Sequence, residues 1–135
     1  MRQHDQKNFR YFMTIIPYDD RDGHIWMDGR LLPWRDAKVH FLTHALHYAS
    51  AVFEGIRCYN GKIFKLQEHT DRLIEGCGMM DMKISYTAQQ INEACLETVR
   101  ANNVVDGYLR PLAWRGPEQM GVAAQHTHIH FAVAA

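Results

Sequence analysis

Tyr108 and Arg110 stand two residues apart in a segment, Tyr108 to Trp114, that alternates like a β-strand. Residues two apart on a strand share a face, so Tyr108, Arg110, Leu112 and Trp114 line one side. A guanidinium brings fork donors and a phenol brings a hydroxyl. Flanked by apolar groups, the two can hold a carboxylate in partly dry surroundings. The same alternation puts Phe53, Gly55, Arg57 and Tyr59 on one face of an earlier strand, and Val52, Glu54, Ile56 and Cys58 on the other. Arg72, beside His69 in a helical stretch, offers another fork donor. Taken singly, each arginine has a commoner reading as a solvent-facing residue, Arg110 with its stem over Trp114 and Arg72 on a solvated helix face.

The histidines invite a metal reading. His40, His44 and His47 could turn two rings toward one ion if helical, and His126, His128 and His130 alternate as on a strand face. A metal site also needs a further ligand and groups that orient the rings, and neither is legible here. With nine histidines in 135 residues, some regular spacing is expected by chance. No phosphate-cradling Gly-x-x-x-x-Gly-Lys loop, dinucleotide Gly-x-Gly-x-x-Gly turn or Gly-x-Ser-x-Gly elbow occurs. The three cysteines, Cys58, Cys77 and Cys95, form no Cys-x-x-Cys pair. They fit neither a disulfide framework nor zinc, and suit a reducing cytosol.

Fifteen basic side chains balance fifteen acidic ones, which leaves no charge footprint for nucleic acid or an anionic membrane. Apolar residues make up 47% and charged residues 22%, the profile of a globular protein with a buried core. No run is apolar enough to span a membrane, and the start carries no apolar signal core, so the expected location is cytoplasmic.

The elements that must position these side chains follow from periodicity. Residues 1–23 are expected to form a polar leader or loosely docked arm, with Met13 a possible start, and residues 24–135 one domain. Ile25 to Leu32 reads as a short hairpin turned at Asp28-Gly29, and Val52 to Phe64 as a longer one turned at Asn60-Gly61. A first helix places Leu66, Leu73, Ile74 and Cys77 on one face, with Gly76 and Gly78 as its stop. A second opens on a capping box, Thr87 with Gln90, and runs to about Asn102-Asn103. Tyr108 to Trp114 and His128 to Ala134 read as strands, and Pro111 predicts an edge strand or a bulge in the first. The predicted class is α+β, with a mostly antiparallel sheet and two helices.

Several motifs then occur in one order: Ala37-Lys38-Val39-His40, Thr43-His44-Ala45-Leu46-His47-Tyr48, Val52-Phe53-Glu54-Gly55-Ile56-Arg57, Glu68 to Leu73, Tyr108 to Leu112, and Met120-Gly121-Val122. Together they resemble the N-terminal domain of the branched-chain aminotransferases, the fold type IV enzymes that use pyridoxal 5'-phosphate, over about residues 25–135. The resemblance implies amino transfer between leucine, isoleucine or valine and 2-oxoglutarate. It implies Arg72 as the cofactor-phosphate ligand and Phe53, Gly55, Tyr108 and Arg110 as pocket residues. Tyr48, Met120 and Val122 match parts that reach into a neighbouring subunit's site, which implies a homo-oligomer. Arg57 lies in the motif without an assigned contact.

In the family a lysine of the C-terminal half holds the cofactor covalently and moves the proton. Ala135 falls before the place of that lysine, and Lys7, Lys38, Lys62, Lys65 and Lys83 match no family lysine. The resemblance therefore implies that this segment alone is inactive and needs the C-terminal domain. Two alternatives stay open from the residues: a stand-alone binding or regulatory module made from half an aminotransferase, and a small histidine-rich metal-binding domain.

Overall fold

A computed structural model describes residues 15–135. Met13 and most of the predicted leader lie outside them. The described end of the leader is docked: the Arg35 guanidinium pairs with Asp20 at 2.6 Å and Asp22 at 2.8 Å, and the Trp34 indole N–H donates to the Tyr18 carbonyl.

Strands β1 (His24–Met27) and β2 (Arg30–Pro33) form the short hairpin. Its turn residues Asp28 and Gly29 both take positive φ, as a tight hairpin turn requires. A one-turn helix, α1 (His44–Tyr48), follows. Then come β3 (Ala51–Phe53), β4 (Ile56–Tyr59) and β5 (Lys62–Ile63), with Asn60-Gly61 turning β4 into β5. Helices α2 (Leu66–Met79) and α3 (Ala88–Ala101) precede β6 (Gly107–Arg115) and β7 (Ile129–Ala134). All pairings are antiparallel, in the order β2-β1-β7-β6-β4-β5, with β3 also on β6. The α+β class stands.

Pro111 lies in β6, which has partners on both sides and is neither an edge nor bulged. β3 and β4 meet β6 in one register, Phe53 opposite Leu112 and Ile56 opposite Leu109, with no extra residue between. The Glu54 amide donates to the Pro111 carbonyl at 3.0 Å, and Pro111 has no N–H to return. The ladder thus lapses at one rung, and the expected strand Val52 to Tyr59 appears as two pieces.

One sheet face is covered. Trp26, Ile56, Cys58, Leu109, Phe131 and Val133 pack there with Leu73 and Cys77 of α2 and Ile91 and Cys95 of α3. Apolar burial of this kind is the main force holding helices to sheet. The capping box forms as expected: Thr87 Oγ1 accepts from the Gln90 amide, and the Gln90 side chain accepts from the Thr87 amide. The stop of α2 differs from expectation. The helix runs through Gly76 and Gly78 and ends on left-handed Asp81, with the Met82 amide bonding back to the Cys77 carbonyl at 2.9 Å. Gly76 serves packing instead, since a Cβ there would come within 3.1 Å of Val52 Cγ1. Among the described residues no helix is long and apolar enough to cross a membrane.

Candidate active site

The uncovered face carries the candidate chemistry. Antiparallel register sets Phe53 opposite Leu112 and Arg57 opposite Tyr108, so side chains of both strands emerge together. Arg110 donates to the Tyr108 hydroxyl from Nη2 at 3.0 Å and from Nε at 3.3 Å. Its guanidinium also lies 4.3 Å from the centre of the Phe53 ring, a cation–π contact. A Cβ at Gly55 would sit 2.6 Å from the Tyr108 hydroxyl, so only glycine leaves that phenol its place. The sheet brings Phe53, Gly55, Tyr108 and Arg110 together. Arg57 stays beside them but turns over the Tyr59 ring, 5.4 Å from its centre.

Next to Arg110 runs an open groove of about 360 Å³, walled by Met27, Val39, Leu46, Leu112, Trp114 and Ala132. The wall is almost wholly apolar, with Arg110 its one charged residue; Phe53, Gly55 and Tyr108 stand beside Arg110 and do not line the groove. Such a surface accepts an aliphatic chain against its apolar residues and an anionic group at the arginine.

Arg72 is elsewhere. It lies on α2, at the helix-covered side of the sheet, and alternation explains how it connects to the pocket wall. Phe53 and Gly55 emerge on the side of Tyr108 and Arg110, while Glu54 between them faces the helices and is buried. Arg72 closes a two-pronged bond on that carboxylate, Nε to Oε1 at 2.8 Å and Nη2 to Oε2 at 2.7 Å. His69 Nδ1 adds a contact to Oε2 at 2.7 Å. The arginine's hydrogen bonds hold the Glu54 carboxyl below its ordinary pKa; burial opposes this and is outweighed, with help from His69. Among the described residues Arg72 Nη1 bonds to nothing, and the side chain is 68% exposed, so donors remain for an external anion.

Tyr48, Met120 and Val122 line no part of the groove beside Arg110. Tyr48 ends α1, and Met120 and Val122 sit on the loop between β6 and β7; all three are exposed. The histidines turn to separate partners: the His40 ring to the Leu42 amide, His44 to Ser50 and Val122, His47 to the Phe41 carbonyl, and His130 to Asp28 and Glu118. Among the described residues no three His, Cys, Asp or Glu side chains are grouped to hold a metal ion.

A family model described as amino-transferase class IV matches residues 51–135, from β3 to the last residue. The chain belongs to the class IV amino-transferases. The branched-chain-amino-acid aminotransferase of Pseudomonas aeruginosa is 48% identical over 120 residues, which is 86% of this chain and 39% of that relative. The probable branched-chain-amino-acid aminotransferase of Rickettsia conorii is 40% identical, covering 90% of this chain and 42% of the relative. Among solved structures, the branched-chain amino acid aminotransferase of Escherichia coli superposes with a TM-score of 0.80 at 36% identity, over 84% of this chain and 40% of that one. The branched-chain amino acid aminotransferase of T.th., solved in complex with N-(5'-phosphopyridoxyl)-L-glutamate, gives 0.80 at 39% identity over the same shares. The chain thus spans about two fifths of the length of these relatives.

Within this class IV amino-transferase chain, the sequence motifs put Phe53, Gly55, Tyr108 and Arg110 on one face and miss Glu54 as a partner of Arg72. The signal was present, because alternation puts a carboxylate on the apolar face, where it demands a cation. The contacts of His44 with Val122 and of Arg115 with Asp81 were also missed, because these partners lie far along the chain and no local spacing marks them.

Proposed function

We propose that this chain supplies the substrate wall and one phosphate ligand of a pyridoxal-5'-phosphate-dependent branched-chain aminotransferase. In this reading residues 24–135 are its N-terminal domain. The reaction moves an amino group between leucine, isoleucine or valine and 2-oxoglutarate. The observation that carries the reading is the Phe53–Arg110–Tyr108 cluster beside an apolar groove that Arg110 itself lines. Such a wall meets two unlike demands, an aliphatic side chain along the groove and a second carboxylate at Arg110. The T.th. relative has been solved both with the phosphopyridoxyl-glutamate adduct and with 4-methylvaleric acid, an acidic and an aliphatic occupant.

Pyridoxal phosphate, when bound, supplies the electron sink for the transfer. The residues present fit its phosphate: Arg72 is exposed, permanently charged, oriented by Glu54, and keeps unpaired donors. Arg110, steadied by Tyr108 and Phe53, pairs the distal carboxylate of glutamate, and the groove walls exclude water from a leucine side chain. Tyr48, Met120 and Val122, exposed and apolar or aromatic, face a neighbouring subunit in a homo-oligomer, whose working place is the cytoplasm. Lys38, Lys62, Lys65 and Lys83 match no lysine of the family, so in this reading the covalent cofactor ligand comes from the length that the relatives carry beyond the match.

The test joins this chain to the segment that follows the match in the Pseudomonas aeruginosa relative. The joined protein is expected to transaminate leucine with 2-oxoglutarate, and this chain alone is not. A folded, cofactor-loaded chimaera without that activity contradicts the proposal.

A further inference from the structure

The loop of residues 116–128, between β6 and β7, is anchored well at its base and poorly at its tip. At the base the Gly116 amide donates to the His128 carbonyl at 3.0 Å. On the return half Arg115 Nη1 donates to Thr127 Oγ1 at 3.1 Å and to the Ala124 carbonyl at 3.4 Å, and His130 holds Glu118 at 2.9 Å. The tip carries Met120 and Val122, which are 80% and 75% exposed, so packing does little to fix it. Among the described residues, one hydrogen bond ties residues 120–122 to the rest of the molecule. It runs from His44 Nε2 to the Val122 carbonyl, at 3.1 Å.

His44 is suited to that task. It opens α1, is only 5% exposed, and its own amide donates to the Gly116 carbonyl at 3.1 Å. One residue therefore holds both the entry of the loop and its tip. The ring Nδ1 lies 2.6 Å from Ser50 Oγ. A carbonyl only accepts, so Nε2 carries the proton, and in the neutral ring Nδ1 accepts from the Ser50 hydroxyl. The opposite tautomer would set the Nε2 lone pair against the carbonyl oxygen. The His44 ring also lies 4.6 Å from that of Tyr48, on the same helix.

We propose that His44, with its tautomer set by Ser50, is a positioning residue that locks the Met120–Val122 tip to the helix bearing Tyr48. By doing so it fixes the surface that these residues offer to a neighbouring subunit's pocket. That second half rests on the function proposed above; the locking itself does not.

The locking is tested on this chain by amide hydrogen exchange and by nitrogen NMR of the imidazole. The proton is expected on Nε2. His44→Ala should loosen the tip and speed exchange of the loop's bonded amides, His126 to the Gln119 side chain and Thr127 to the Ala124 carbonyl, by about tenfold, the worth of one buried hydrogen bond, while Leu109 and Phe131 are unchanged. His44→Gln, whose amide can reach the same carbonyl, should restore most of the protection. Ser50→Ala should give mixed tautomers and intermediate exchange. Unchanged tip exchange in folded His44→Ala, or a proton on Nδ1 alone, overturns the proposal. Should His44→Ala fail to fold, Ser50→Ala decides: wild-type tautomer and exchange there overturn it as well. In the chimaera, His44→Ala should raise KM for leucine with little change in kcat. Faster tip exchange with an unmoved KM keeps the lock and overturns its substrate role.

Discussion

Glu54 grips Arg72 with both carboxylate oxygens, at 2.8 and 2.7 Å, from the helix-covered face of the sheet. Its neighbours Phe53 and Gly55 emerge on the face of Tyr108 and Arg110, so the proposed phosphate ligand and the proposed substrate wall are joined through a single peptide unit on either side. A displaced guanidinium would follow any shift of that strand. Positioning of this order matters because small misplacements of binding groups cost rate steeply.

Glu54→Gln should cost about 1–3 kcal/mol, since it leaves donors around a buried acceptor imperfectly paired. The pH dependence follows from the sign of the shift. Glu54 is depressed in the folded state, so its contribution is present above the ordinary carboxylate pKa and fades as pH falls through the lower folded value. Chemical denaturation from neutral to acid pH should show a smaller loss in Glu54→Gln than in the parent. Parallel curves would show that the pair adds nothing to folding.

Gly55→Ala should be mild for folding and severe for the wall. The new Cβ would fall 2.6 Å from the Tyr108 hydroxyl and 3.0 Å from its ring, and Tyr108 is half-exposed and free to swing. The expected cost is about 1 kcal/mol or less, as for surface changes without core strain. The Tyr108–Arg110 hydrogen bond should be lost. NMR contacts between the Tyr108 ring and the Arg110 side chain check this, and their persistence in the variant would contradict it.

His130 joins the β1–β2 turn to the loop through two carboxylates, Asp28 at 2.7 Å and Glu118 at 2.9 Å, with the His128 ring nearby. Burial works against the charged ring, yet the two carboxylates outweigh it and raise the His130 pKa. A raised histidine stabilises fully below its unfolded value of about 6.5, and the benefit is lost as pH rises through the folded value. Thermal midpoints should fall from neutral to mildly alkaline pH in the parent and stay flatter in His130→Gln. Equal slopes would assign the effect to other groups.

Alternation made the groove face legible: Phe53, Gly55, Tyr108 and Arg110 emerge together because a strand repeats every two residues and the register pairs them. The capping box of Thr87 and Gln90 and the turns at Asp28-Gly29 and Asn60-Gly61 were legible for the same local reason. Pro111 misled, because a missing N–H can be absorbed by one lapsed rung in an interior strand as well as by an edge. Gly76 misled because its use is a close approach to Val52, a tertiary fact. The His44–Val122 and Arg115–Asp81 contacts span 78 and 34 residues, and no periodicity reports them.

The most direct measurement of the central claim replaces Arg110 by alanine in the chimaera and follows single-turnover amino transfer from glutamate and from leucine. Only glutamate offers a second carboxylate, and a charge-assisted bond to it is worth about ten- to a hundredfold in rate. The account predicts that Arg110→Ala slows the glutamate reaction by that factor and leaves the leucine reaction within about threefold, an energy change below that of one neutral hydrogen bond. Equal losses with both substrates would contradict it, and would place Arg110 on the shared carboxylate or in the fold rather than on the second carboxylate of glutamate.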